Sequence, residues 1–149
     1  MYHFPLKFHK KITQLQVDLS KPKEVTLGDK VKKIEGCLFL SIVKAKTDGS
    51  DRMDWDNEIK IKLAANDITE IITRIRANQT AKLYHSNQKT QVITTLEVAA
   101  GDKPGTYKWF ISKTQNNNKQ YGNIYLDQKD MYYLFLMFEA ALPIIAGWT

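Results

Sequence analysis

Between residues 14 and 19 apolar and polar side chains alternate strictly: Leu15, Val17 and Leu19 against Gln14, Gln16 and Asp18. A period of two places all the apolar groups on one side of an extended backbone, so the segment predicts a strand with one buried face. Cys37 to Lys46 reads as a longer apolar strand whose end turns basic at Lys44 and Lys46. A polar turn, Thr47 to Met53, follows, with Asp48-Gly49 as its hairpin signal. Ile59, Ile61 and Leu63 then alternate with Glu58, Lys60 and Lys62, one face apolar and the other charged.

From Ala65 the period lengthens. Ile68, Ile71, Ile72 and Ile75 share one stripe of a helix, and Asp67 stands in its first turn, where a carboxylate complements the helix dipole. Arg74 and Arg76 occupy the last turn, and Asn78 tolerates the left-handed backbone that ends a helix. Strands resume at Lys82 to Ser86, and Val92, Thr94, Leu96 and Val98 then alternate with Gln91, Ile93, Thr95 and Glu97. Gly101 to Gly105 is a turn, Tyr107 to Lys113 an aromatic and basic strand, and Gln115 to Lys119 a polar hairpin tip. Ile124 and Leu126 alternate with Asn123 and Tyr125 before a second helix opens at Asp127, with Asp130 as its capping partner. Pro143 closes that helix. The first residues, with His3 and His9, read as a mobile arm.

The two halves repeat one another. Ile61-Lys-Leu-Ala-Ala-Asn-Asp-Ile68 aligns with Ile124-Tyr-Leu-Asp-Gln-Lys-Asp-Met131, each placing a strand's inward pair just ahead of a helix, and the order of elements agrees on either side. The expected fold is therefore α+β: two antiparallel β-sheets, each followed by an α-helix, with the helices packed on one side. The chain reads as one domain over 1–149, with the repeat spanning about 11–78 and 81–148.

The second half carries a resemblance. A strand at Tyr107 to Thr114, a polar hairpin and Gly122-Asn-Ile-Tyr-Leu-Asp-Gln-Lys-Asp-Met131 running into a helix resemble the single-stranded DNA-binding domain of the transcription coactivator positive cofactor four. Two such units in one chain are similar to the Whirly arrangement, used by plant Whirly proteins and by trypanosome mitochondrial guide-RNA-binding proteins. The resemblance implies single-strand binding on the sheet face and assembly into tetramers through the helices. The short lysine-rich signature of the plant Whirly proteins has no counterpart here, which sets the chain apart from those members.

Composition narrows the partners. Lys and Arg total 22 against 16 acidic residues, a net charge of +6, which favours polyanions such as nucleic acid or an anionic membrane surface. Cys37 is the only cysteine, so no intrachain disulfide or cysteine metal cluster forms, which suits a reducing, intracellular compartment. No early apolar run has the length of a signal peptide. Met131 to Trp148 is the most apolar stretch, but Glu139 interrupts it and Pro143 stops it short of the roughly 20 residues a membrane span needs. It reads as a core helix rather than an anchor. The Asn- and Lys-rich composition suits an AT-rich genome such as a virus's.

If Ile59, Ile61 and Leu63 face the helices, Lys60 and Lys62 face away. Lys44 and Lys46 end a neighbouring strand, with Arg52 and Trp55 in its hairpin, while Tyr107, Lys108, Trp109 and Lys113 crowd one later strand and Tyr121 and Tyr125 the next. Cations follow phosphates and aromatic faces stack unpaired bases, so these twelve residues are the candidate nucleic-acid site. Spacing leaves the outward face of the 107–113 strand open: Tyr107, Trp109 and Lys113 share one side, Lys108 and Phe110 the other. Tyr132 to Phe138 is apolar all round, which points to a homo-oligomer, dimer or tetramer, built on the second helix; packing on the first helix and on Ile144, Ile145 and Trp148 is the alternative.

Asp48, Asp51, Asp54, Asp56 and Glu58 surround Trp55 without the spacing of a calcium loop, and read as a solvated hairpin. No nucleophile elbow, phosphate loop or paired-histidine motif is present. The expectation is a non-enzymatic binder of single-stranded DNA, or of RNA, with little sequence preference and no cofactor. The alternatives are an assembly protein oligomerising through the second helix, a small nuclease using the acidic hairpin, and a five-stranded OB barrel.

Overall fold

In the computed structural model, which describes residues 5–148, the strands β1 (Leu6–Lys10) and β2 (Thr13–Ser20) are followed by a hairpin of β3 (Lys23–Leu27) and β4 (Lys30–Ile34). Then come β5 (Cys37–Lys44), β6 (Ile59–Leu63) and helix α1 (Ala65–Arg76). The second half is a plain meander of β7 (Ala81–Asn87), β8 (Val92–Ala100), β9 (Thr106–Gln115) and β10 (Asn118–Asp127), running into α2 (Gln128–Ile145). Two four-stranded antiparallel sheets result, ordered β1-β2-β5-β6 and β10-β9-β8-β7, and β3-β4 stands as a third, two-stranded sheet.

Alternation decides which face is buried along most strands, while central β5 is buried on both, Ser41 and Val43 included. In the first sheet Val17, Leu40 and Ile61 lie side by side, as do Leu15, Ile42 and Ile59, and all six are in the core. In the second sheet Val98, Trp109 and Ile124 form the equivalent row, next to Leu96 and Ile111. At the meeting point of the sheets β10 crosses the ends of β2, β5 and β6. Gly122 makes the crossing possible, since a Cβ there would sit 2.9 Å from the Ile42 Cγ2 and any side chain would push the strands apart.

Both helices contribute one stripe to the common core: Ile68, Ile71, Ile72 and Ile75 from α1, and Met131, Leu134, Phe135, Phe138, Ala141 and Ile145 from α2. They touch each other, and an ion pair joins Arg76 to Glu139. Asp127 and Asp130 cap α2 reciprocally, each carboxylate accepting the other's backbone N–H at 2.8 and 3.1 Å. Asp130 also holds Lys10 at 2.7 Å, and Tyr133 meets Phe8 edge to face, which seats α2 along β1.

Four expectations need correction. Residues 6–10 are a paired strand with Phe8 buried, not a mobile arm, because Phe8 and Leu6 continue the inward rows set by Leu15 and Val17; His3 lies outside the described residues. Pro143 does not end α2, which continues to Ile145: the ring removes one backbone donor near the helix end, and burial of Ile145 holds the last turn. The third sheet was not expected. Trp148 is exposed, so the tail does not close over the outer side of α2, where Tyr132, Tyr133, Leu136 and Met137 stay in solvent.

Candidate nucleic-acid interface

β10 supplies the clearest binding ridge. With Ile124 and Leu126 pointing inward, its other face carries Lys119, Tyr121, Asn123 and Tyr125, spaced every second residue, or roughly 7 Å apart along the strand. Tyr121 and Tyr125 are 56% and 45% exposed, high values for rings on a sheet. Next to them on β9, Phe110 stacks on Tyr121 with ring centres 6.2 Å apart, and the Lys108 ammonium sits 5.7 Å from the Phe110 ring. From the first sheet Lys44 reaches over Tyr121 at 5.1 Å. The strand crossing at Gly122 is what brings this lysine to that ring.

The row continues across the sheet. Tyr121 lies opposite Ser112, Ser112 opposite Thr95, and Thr95 opposite Tyr84, a ring even more exposed than the other two. The Thr95 and Ser112 hydroxyls hydrogen-bond to each other between the flanking tyrosines. At the far end of the ridge, Tyr125 and Asn123 border a groove walled by Lys10, Lys11, Ile12 and Thr13 of the β1–β2 turn.

A second patch occupies the outward face of the first sheet. Lys60 and Lys62 are exposed there, opposite Ser41 and Phe39. The Lys60 ammonium lies 5.6 Å from the Phe39 ring and 3.6 Å from Glu58. Lys46 and Arg52 are exposed in the hairpin beyond β5, linked by a backbone hydrogen bond of 2.7 Å, and Trp55 is exposed in the short helical turn Trp55–Asn57. Asp54 and Asn57 of this loop line the same groove as Lys44, Lys119 and Tyr121.

Three candidates are misplaced. Trp109 is fully buried: its indole N–H points at the Met131 sulfur, 3.1 Å away, and its edge meets Phe138. It cannot stack a base. Tyr107 shares that inward side and lines a recess between the helices with Ile75, Met131 and Tyr132. Lys113, opposite Gln120 and Thr94, also has core-side parity and does not join the aromatic row. The outward face of β9 therefore belongs to Lys108 and Phe110. Phe39, Tyr84 and Lys119 were missed as well. Parity with Lys82 and Tyr121 on their own strands was the available signal for Tyr84 and Lys119, whereas Phe39 shares a face with Lys60 and Lys62 only through the β5–β6 pairing.

Burial raises the pKa of the Cys37 thiol above its usual value, so this cysteine is a core group rather than a reactive one. Among the described residues no three histidine, cysteine or acidic side chains come together as metal ligands, and no helix is long and apolar enough to cross a membrane.

No curated protein matches the chain in sequence. Solved structures do match in fold. WHY3 from Arabidopsis thaliana superposes with a TM-score of 0.84 at 19% identity over 99% of this chain and 91% of its own. The plant transcriptional regulator PBF-2 gives 0.81 at 20% identity, covering 99% and 93%. MRP1/MRP2 from Trypanosoma brucei gives 0.61 at 12% identity, covering 97% and 86%. At such identities these likenesses establish the fold alone, and none of the three is viral. The family described as "Whirly transcription factor" matches residues 8–127, through both sheets and the first helix up to the cap of the second: the chain belongs to the Whirly family.

Proposed function

We propose that the protein binds single-stranded DNA along the β10 ridge and the lysine-bearing face of the first sheet, with little sequence preference and without catalysis. The observation that carries this is the Lys44–Tyr121–Phe110–Lys108 array, in which exposed Tyr121 and half-buried Phe110 stack on each other between two ammonium groups. Rings stack any unpaired base and ammonium groups follow the phosphates, whereas a stacked, paired base offers no face to such a ridge. Tyr84 and Tyr125 extend the platform, and Lys60, Lys62 and Lys119 supply phosphate contacts. Lys46, Arg52 and Trp55 form an outlying part of the same surface. RNA is the second ligand, since aromatic rings and ammonium groups serve single strands of either kind. The acid-flanked hairpin is solvated rather than catalytic, and the protein acts inside the cell.

The two halves are, in this reading, copies of one strands-then-helix unit. Asp67 and Asp130 support it, because each sits three residues after its helix cap and accepts that cap's backbone N–H. The protein acts as a homo-oligomer joined through the exposed side of α2.

A salt titration with fluorescent single-stranded and duplex DNA tests the proposal. Single strands should bind more tightly, with affinity falling steeply as salt rises. Tyr121→Ala should weaken binding by about 1–3 kcal/mol, or roughly 5- to 150-fold. Lys60→Glu with Lys62→Glu should flatten the salt dependence without unfolding the chain. Equal affinity for duplex, or a Tyr121→Ala variant that binds as tightly as the parent, would refute it.

A further inference from the structure

The hairpin β3–β4 is unlike every other strand pair in the molecule. All but one of its ten strand residues are exposed, and the exception, Val25, is only half-buried. An isolated two-stranded hairpin is marginal in water, because it has no apolar face to bury. Leu27 and Val31 are nevertheless 62% and 60% exposed, and Lys21, Lys23, Lys30, Lys32 and Lys33 cluster on the same few turns of chain, against Glu24, Asp29 and Glu35. Leu27 pairs with Lys30 and Val31 with Thr26 at the two-residue Gly28-Asp29 turn, so the two apolar side chains near the tip point to opposite faces. Lysines occur on both faces as well, Lys23, Lys30 and Lys32 on one and Lys33 on the other.

One face of the ribbon sets Lys23, Lys30 and Lys32 among Val25, Leu27 and Ile34 with no acidic residue, and the other carries Thr26 and Val31 beside the opposed Glu24 and Lys33. A face with that charge and an apolar tip suits an anionic cleft. The groove of a DNA duplex is that cleft: it admits a two-stranded ribbon, its walls are phosphates, and apolar residues at the end of such arms wedge against base steps. We propose that β3–β4 is a duplex-groove arm, separate from the aromatic ridge, and that it directs the protein to places where a single strand adjoins a duplex.

Whole protein is titrated with three labelled DNAs: a single strand, a blunt duplex, and a junction carrying the same single-stranded tail. The parent should prefer the junction to the free strand. A Lys30→Glu, Lys32→Glu, Lys33→Glu variant should lose that preference, about tenfold or more at low salt, with its salt slope on the junction reduced by roughly 3 and its affinity for the free strand kept. Leu27→Asp should lower junction affinity alone and leave the sedimenting mass unchanged. A parent that binds the free strand and the junction equally, or a triple variant weakened equally on both, overturns the arm while leaving the single-strand reading intact. A change of mass in Leu27→Asp with DNA binding unaltered overturns it in favour of a contact between copies. A parent that binds the duplex but no single strand refutes the ridge and spares the arm.

Discussion

At the scale of residues, Trp109 and Tyr121 divide the aromatic side chains into two kinds. Trp109 fills the space between β9 and α2, and its N–H has the Met131 sulfur as its partner. Trp109→Ala should therefore destabilise the fold by about 3–5 kcal/mol, as large-to-small core substitutions do. Chemical denaturation should show a lowered midpoint, with DNA binding lost only as the fold is lost; a variant as stable as the parent that fails to bind DNA would return Trp109 to the binding surface. Sequence alone did not separate the two rings, for a specific reason. In 107–113 both parities hold aromatic and cationic residues, so period-two reasoning has no polar face to point outward. In 59–63 the same reasoning had one, and Lys60 and Lys62 are exposed as expected while Ile59, Ile61 and Leu63 are buried. The inward side of β9 is set by its neighbours Val98 and Ile124 on adjacent strands, which are contacts across the sheet that no local window contains.

At the scale of elements, the helices were legible and the small hairpin was not. The isoleucine stripe of α1 and the Asp127/Asp130 cap of α2 stand in the structure where the pattern put them, and the two-residue Asn116-Asn117 turn takes the left-handed backbone its asparagines favour. Val25 and Leu27 alternate with Glu24 and Thr26 along β3, but the stripe is only two residues long and β4 puts Val31 and Ile34 on opposite faces, so the hairpin carries no sustained period. The capping geometry yields a prediction of its own. The N-cap of α1 is Ala64, whose backbone is extended as a cap requires (φ −77°, ψ 169°) but whose methyl group accepts nothing. Asp67 makes its half of the box, accepting the Ala64 N–H at 2.9 Å, and the reciprocal half that Asp127 makes in α2 is missing. Ala64→Asp should complete it and stabilise the protein by about 1 kcal/mol. Calorimetry should register a melting temperature raised by roughly 2–4 °C, typical for a chain of this size. An unchanged or lower value would show that the α1 cap cannot adopt the geometry of α2.

At the scale of the molecule, the core does not use all of its apolar surface. Tyr132, Tyr133, Leu136 and Met137 form a continuous stripe on the solvent side of α2, all of them exposed, while the stripe of Leu134, Phe135 and Phe138 is buried behind it. In the proposed oligomer this stripe is the surface that a second copy would cover, since the chain's other helix already packs inward. Association through this stripe would join several DNA-binding ridges in one particle, and linked sites bind a long strand more tightly than any one of them does alone. Leu136→Glu with Met137→Glu should therefore reduce the sedimenting species to the 17.2 kDa monomer while leaving the circular dichroism spectrum unchanged. The same variant should lose affinity for a long oligonucleotide by about a hundredfold, the lower end of the gain from linked binding, yet bind a short one that spans a single ridge as the parent does. Equal losses on short and long strands would mean that α2 supports the ridge itself rather than the coupling between ridges. A double variant that sediments with the mass of the parent would place the contact between copies elsewhere, and leave four exposed apolar side chains on α2 without a role.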